Sequence, residues 1–173
     1  RTLSDVFYHL KNVNELQIRG GGTAKIPFAE KVLTISSIQE LCTIEKKERF
    51  IEFGSAVTLS RILDVGRTNM SPVFFDAVKT IATESVRNIA TIGGNICSGV
   101  VEGNEQKSTL WGPLLALGAM LEFRKKPSDS KTIPFSQFKK IPEGYLLTKV
   151  RVPQNESEVA VFKRVGPSRR ITK

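Results

Sequence analysis

Two runs of adjacent glycine constrain this chain more than any other feature. Gly20-Gly21-Gly22-Thr23 follows a short apolar stretch, and Thr91-Ile92-Gly93-Gly94-Asn95 follows a long helical pattern. Without Cβ atoms, adjacent glycines let backbone N–H groups approach a ligand or another strand closely. Successive N–H groups of this kind form a concave anion site, and a Thr hydroxyl adds a donor. Two such runs facing one another would clamp a pyrophosphate. The same residues also read as plain tight turns. No window supplies the phosphate loop Gly-x-x-x-x-Gly-Lys-Ser/Thr, and Gly-x-Gly-x-x-Gly is absent, which disfavours a dinucleotide site of the Rossmann type.

The patterning around these runs mixes helices and strands. Residues 2–10 carry apolar side chains at helical spacing. Residues 16–19 and 31–35 read as short strands. Ser37 and Glu40 have capping-box spacing, which predicts a helix start. Residues 50–53 predict a strand ending at Gly54, and residues 58–64 a short helix. Residues 76–90 predict the longest helix, with Ala77, Val78, Ile81, Ala82, Val86, Ile89 and Ala90 on one face. Residues 102–108 read as an exposed loop, and residues 113–119 as an apolar helix with Pro113 in its first turn. Residues 120–124, 148–152 and 159–164 are strand-like, with Phe135 and Phe138 plugging the core between them.

The 173 residues suit one domain or two small lobes sharing a core, and 26 Lys+Arg against 17 Asp+Glu leave a formal charge of +9. The basic residues are scattered in pairs such as Lys46-Lys47, Lys125-Lys126, Lys139-Lys140 and Arg169-Arg170, with no aromatic-interleaved stripe, so no nucleic-acid partner is expected. No stretch reaches the ~18–20 apolar residues of a membrane span, so no membrane segment is expected. Cys42, Cys97 and His9 are too few for a structural zinc site or an iron–sulfur cluster. A single pair of cysteines fits a reducing, cytoplasmic setting. His9 falls off the apolar stripe of its helix and reads as a surface residue, which leaves no Ser-His-Asp triad and no catalytic side chain to name.

The segment Ser85-Val86-Arg87-Asn88-Ile89-Ala90-Thr91-Ile92-Gly93-Gly94-Asn95-Ile96 resembles the signature of the FAD-binding subunit or domain of molybdenum hydroxylases. That family includes xanthine dehydrogenase and the carbon monoxide dehydrogenase medium subunit. Gly20-Gly21-Gly22-Thr23 resembles its first loop, Gly54-Ser55-Ala56-Val57-Thr58-Leu59 its strand-to-helix passage, and Leu114-Leu115-Ala116-Leu117-Gly118-Ala119 the helix after the second loop. The resemblance implies an α+β, two-lobed FAD-binding fold: a small α/β lobe over residues 1–54, and a larger lobe over residues 55–173 built on a mostly antiparallel sheet. It implies FAD between the lobes, its pyrophosphate held by Gly20, Gly21, Gly22, Thr23 and Ala24 and by Thr91, Ile92, Gly93, Gly94 and Asn95. Lys163 stands near a position where the family has a basic residue close to the flavin.

The resemblance further implies an electron-transfer component. FAD would pass electrons from iron–sulfur clusters on a partner to NAD+ or another acceptor, with iron–sulfur and molybdopterin subunits as partners. Thr109 stands where the family has an Asp that binds the adenosine half; Glu102 or Glu105 would be the substitutes. Residues 165–172 resemble the entry to the family's last subdomain, and the chain stops at Lys173, so that subdomain is expected to be missing. These departures leave open a second reading, a structural partner without bound flavin. Arg87 reads as solvated or paired with Glu84, and Trp111 and Cys97 as core residues.

Overall fold

In a computed structural model, residues 2–101, 108–154 and 160–165 are described. The chain is α+β. Helix α1 (Leu3–Asn12) is followed by a two-stranded parallel sheet, β1 (Gln17–Arg19) with β2 (Val32–Thr34). Strands β3 (Ile44–Lys46), β4 (Phe50–Gly54), β5 (Met120–Lys126), β6 (Asp129–Pro134) and β7 (Leu146–Pro153) form an antiparallel sheet in the order β3-β4-β7-β5-β6. Helices α2 (Leu59–Asp64), α3 (Pro72–Lys79), α4 (Glu84–Arg87), α5 (Ile92–Ser98) and α6 (Trp111–Ala116) lie between β4 and β5 in sequence. Among the described residues, no helix is long and apolar enough to cross a membrane.

Two apolar cores organise these elements. The small core joins Val6 and Phe7 of α1 to Ile35, Ile38, Leu41, Ala56 and Leu146. The large core packs Ile51, Phe53, Leu121, Phe123, Val150 and Val152 of the sheet against Phe74, Ile92, Ile96 and Leu114 of the helices. Strands β3 and β4 precede residue 55 but pair into the five-stranded sheet through β7. The central strand β7 serves both cores, because Leu146 belongs to the small one and Leu147 to the large one. Its neighbour β5 shifts register between Glu122 and Phe123.

The capping box forms at α1 rather than at Ser37. The Thr2 side chain accepts from the Asp5 N–H, and Asp5 accepts from the Thr2 N–H. Glu40 accepts from the Leu3 N–H at 3.1 Å, so its carboxylate satisfies an orphan donor of α1 while residues 39–41 make only a 3-10 turn. Predicted residues 76–90 are not one helix. Helix α3 ends at Lys79, Ala82 is left-handed with φ 49, and α4 starts at Glu84. The break is held by Arg87, whose Nη1 donates to the Ile81 and Ala82 carbonyls at 3.0 and 2.7 Å, which replaces helical partners with a side chain. The expected strand over 159–164 does not form: residues 160–165 belong to no strand, and residue 159 lies outside the described residues. Strands β3 and β6 carry no strand signal in sequence, being short or mostly polar, and they pair because their neighbours offer open edges.

An ion network crosses the large sheet on the face opposite its core. Arg151 donates from Nε to Glu52 at 2.7 Å and from Nη2 to Glu122 at 3.0 Å. Lys149 joins Glu52, and Arg124 joins Glu122 at 2.8 Å. Both carboxylates are buried. Burial alone would raise the Glu52 pKa, but hydrogen bonds from Lys149 and Arg151 outweigh it and hold the carboxyl below its usual range. Because the folded value is the lower one, this contribution to stability is complete above the unfolded value near ~4.3 and is lost as pH falls through the folded value. Urea unfolding midpoints taken from pH 6 to pH 3 should therefore fall less steeply in Glu52→Gln than in the wild type. Parallel curves would show that Glu52 does not couple folding to pH.

Candidate functional site

Strand β1 delivers residues 20–24 to the start of α5. Gly20 lies against the Thr91 side chain: a Cβ there would stand 2.3 Å from Thr91 Oγ1. Gly21 lies under the Ile89 carbonyl, where a Cβ would come within 1.6 Å of the oxygen. Gly22 has φ +67, the left-handed conformation that glycine takes without strain. The two glycine runs, far apart in sequence, are therefore in contact.

Between them is a cleft of about 280 Å³, lined by residues 20–24 and by Thr91, Gly94 and Asn95, with Ile81, Val86, Val101 and Ile141 as apolar lining. Ile92 and Gly93 do not line it. Ile92 is fully buried in the large core, and a Cβ on Gly93 would meet Ser55 O at 2.7 Å. Lys163 is exposed and does not line the cleft either; the adjacent Arg164 donates to the Thr80 carbonyl at 2.8 Å. Thr109 is also absent from the lining, and Glu102 and Glu105 lie outside the described residues.

The two runs differ in local structure and in free donors. The second is a helix start rather than a turn, with Thr91 as N-cap and its Oγ1 accepting from the Gly94 N–H at 3.1 Å. The Ile92 N–H donates to Val57 O, Gly93 to Ser55 O and Asn95 to Thr91 O. Those donors are committed to the fold, which leaves the Thr91 hydroxyl proton and the Asn95 side chain for a ligand. Asn95 Oδ1 is buried without a partner among the described residues. In contrast, no N–H from residue 20 to residue 24 donates to an acceptor among the described residues. Free N–H groups beside glycines are donors of the kind an anion takes.

Two residues at this cleft had no functional reading in sequence. Gln17 and Arg19 were legible only as part of a strand, yet both line the cleft. The available signal was a charged residue placed directly before the glycine run. Arg87 is not paired with Glu84; it serves the Ala82 turn. Trp111 packs on Phe135 and Phe138 with ring centroids at 5.0 and 5.7 Å and donates from Nε1 to Ile96 O. Cys97 lines the cleft, and burial pushes its thiol up to about 12, which leaves it protonated and a poor nucleophile.

Over residues 2–155 the chain matches the family described as FAD binding domain in molybdopterin dehydrogenase. The chain belongs to that family. FAD is the cofactor of this domain, and the cleft offers groups compatible with it: N–H donors without acceptors among the described residues for an anionic part, and the Asn95 oxygen for a hydroxyl or N–H donor. The FAD-binding domain is 30% identical over 132 residues to probable aldehyde oxidase 1 of Oryza sativa subsp. japonica, covering 72% of this chain and 10% of that protein. It is 27% identical over 146 residues to the xanthine dehydrogenase FAD-binding subunit of Escherichia coli O157:H7, covering 79% and 48%. The chain thus spans about a tenth of the plant relative and about half of the bacterial subunit. In fold it is similar to a chain of carbon monoxide dehydrogenase from Hydrogenophaga pseudoflava, with TM-score 0.77, 21% identity, and coverage of 90% of this chain and 57% of that one. It is likewise similar to quinoline 2-oxidoreductase from Pseudomonas putida 86, with TM-score 0.74 and 18% identity over 89% of this chain and 57% of that one. These likenesses agree with the α+β architecture of a small parallel sheet and a larger antiparallel one.

Proposed function

We propose that this chain is the flavin-carrying electron-transfer component of a molybdenum hydroxylase of the xanthine dehydrogenase kind. The observation that carries the reading is the cleft itself, which residues 20–24, whose N–H groups meet no acceptor among the described residues, line together with Thr91 and Asn95. When bound, FAD would supply the redox chemistry of electron transfer between iron–sulfur clusters on a partner and an acceptor such as NAD+. The chain's own residues bind and orient. The backbone of residues 20–24 would hold the diphosphate, the Thr91 hydroxyl would donate to it, and the Asn95 side chain would accept or donate at the ligand's edge. Ile81, Val86, Val101 and Ile141 exclude water from the same cleft. No side chain is assigned a proton-transfer role. Iron–sulfur and molybdopterin subunits are the partners this reading requires, and the Escherichia coli relative, an FAD-binding subunit, is consistent with a component of a larger assembly.

The test is direct. The purified chain is mixed with FAD, freed of excess ligand, and its visible absorbance recorded. Retained oxidised-flavin bands, with a rise in thermal midpoint on FAD addition, are the expected result. A colourless protein whose midpoint ignores FAD would favour a structural partner without flavin instead.

A further inference from the structure

Arg19 is a buried cation with no carboxylate partner among the described residues. It is 7% exposed, it immediately precedes Gly20, and it lines the cleft. Its Nε donates to Gln17 Oε1 at 2.8 Å, and its Nη2 donates to the Ile26 and Pro27 carbonyls, each at 2.7 Å. The guanidinium stacks on the Phe28 ring 4.4 Å from its centroid. Gln17 reinforces the same segment, donating to Pro27 O at 3.1 Å and accepting from the Ala29 N–H at 3.2 Å. Arg19 Nη1 donates to no acceptor among the described residues.

These contacts give the side chain two properties at once. It ties the segment that leaves the glycine run back to the strand that enters it, so residues 20–25 are a loop closed at its base. It also puts a full positive charge in the lining of the cleft that residues 20–24 share. Neutral carbonyls and a ring solvate that charge but do not neutralise it, and an uncompensated buried charge is costly. An anion in the cleft would remove that cost.

We propose that Arg19 is the diphosphate-recognising residue of this site. It clamps the glycine loop in its binding shape through Ile26 and Pro27, and it supplies the cation that makes the cleft select a diphosphate. This rests on the FAD reading above for the identity of the natural ligand. The chemistry recognised is the diphosphate, and Nη1, the guanidinium nitrogen that meets no acceptor among the described residues, is the group that would reach it.

The test uses the 173-residue chain as wild type, Arg19→Met and Arg19→Lys. FAD affinity is measured by titration at several salt concentrations, and inorganic pyrophosphate is used as competitor and as thermal-shift ligand. Arg19→Met should bind FAD roughly ten- to hundred-fold more weakly, as loss of a charge-assisted contact predicts. Its FAD affinity should depend less steeply on salt, and pyrophosphate should no longer raise its thermal midpoint. Arg19→Lys should fall between the two. A purely structural role would lower the midpoint but leave the salt slope and the pyrophosphate response as in the wild type, and that result overturns the proposal. If Arg19→Met has no cooperative unfolding transition, Arg19→Lys decides, and wild-type FAD affinity and pyrophosphate response in it overturn the proposal. A wild type that ignores FAD yet is stabilised by pyrophosphate through Arg19 would sink the FAD reading and uphold this one. A wild type that ignores both ligands sinks both.

Discussion

Gly21→Val is expected to abolish FAD retention and to lower the unfolding midpoint. The new Cβ would stand 1.6 Å from the Ile89 carbonyl oxygen, and the obstacle is backbone, which no rotamer change can clear. The loop would have to move away from residues 89–91, and overpacking of this kind costs roughly 1–3 kcal/mol or more. Separating the runs dismantles the cleft between them, so a fall in FAD affinity of at least about a hundred-fold, or ~2.7 kcal/mol, is expected. Flavin fluorescence titration measures the first effect and thermal denaturation the second. Gly112→Ala is the control: nothing lies within 4 Å of its Cβ position and its backbone is not left-handed. Its FAD affinity should equal the wild type's. Equal affinity in Gly21→Val would show that contact between the runs is not what forms the site.

Phe138→Ala is expected to be the most destabilising single truncation at the base of the large core. Phe138 is 3% exposed and its ring meets those of Trp111, Phe123 and Phe135 at 5.7, 5.7 and 6.1 Å. Removing a buried phenyl group costs about 3–5 kcal/mol, a large part of the ~5–15 kcal/mol that holds a domain folded. The thermal midpoint should drop by roughly 6–20 °C. Trp111 is the single tryptophan, so its fluorescence follows the transition without a label. Because its indole donates to Ile96 O of α5, loosening this cluster also loosens the helix that carries Thr91 and Asn95. FAD binding should weaken with it. A midpoint within a degree or two of the wild type would mean that the neighbouring rings collapse into the space.

Much of the framework was legible because local rules and tertiary demands agree. The apolar spacing of residues 2–10, the short helix read at 58–64 and the strand-like residues 148–152 all point to the structure adopted in α1, α2 and β7. Phe135 and Phe138 were readable as core plugs for the same reason. The misreadings have physical causes. Residues 76–90 have helical periodicity throughout, but periodicity cannot show that Arg87 will take the Ile81 and Ala82 carbonyls and fix a left-handed turn. Ser37 and Glu40 have the right spacing for a capping box, but Glu40 serves a different helix. The polar strands β3 and β6 show no burial pattern, because an edge strand needs only one paired side.

At the site the division is sharper. The sequence by itself determined that glycines stand at residues 20–22, 93 and 94, where backbone N–H groups can approach a ligand or another strand closely. Only the tertiary structure decided what each glycine does. Gly20 and Gly21 are small so that two loops can touch, and Gly93 is small so that α5 can approach Ser55. Only it could show that the N–H groups of the second run are committed to Val57, Ser55 and Thr91 while those of residues 20–24 meet no acceptor among the described residues. The reason is that a hydrogen bond is a relation between residues distant in sequence. Composition and spacing count donors, but only the folded chain assigns them their acceptors.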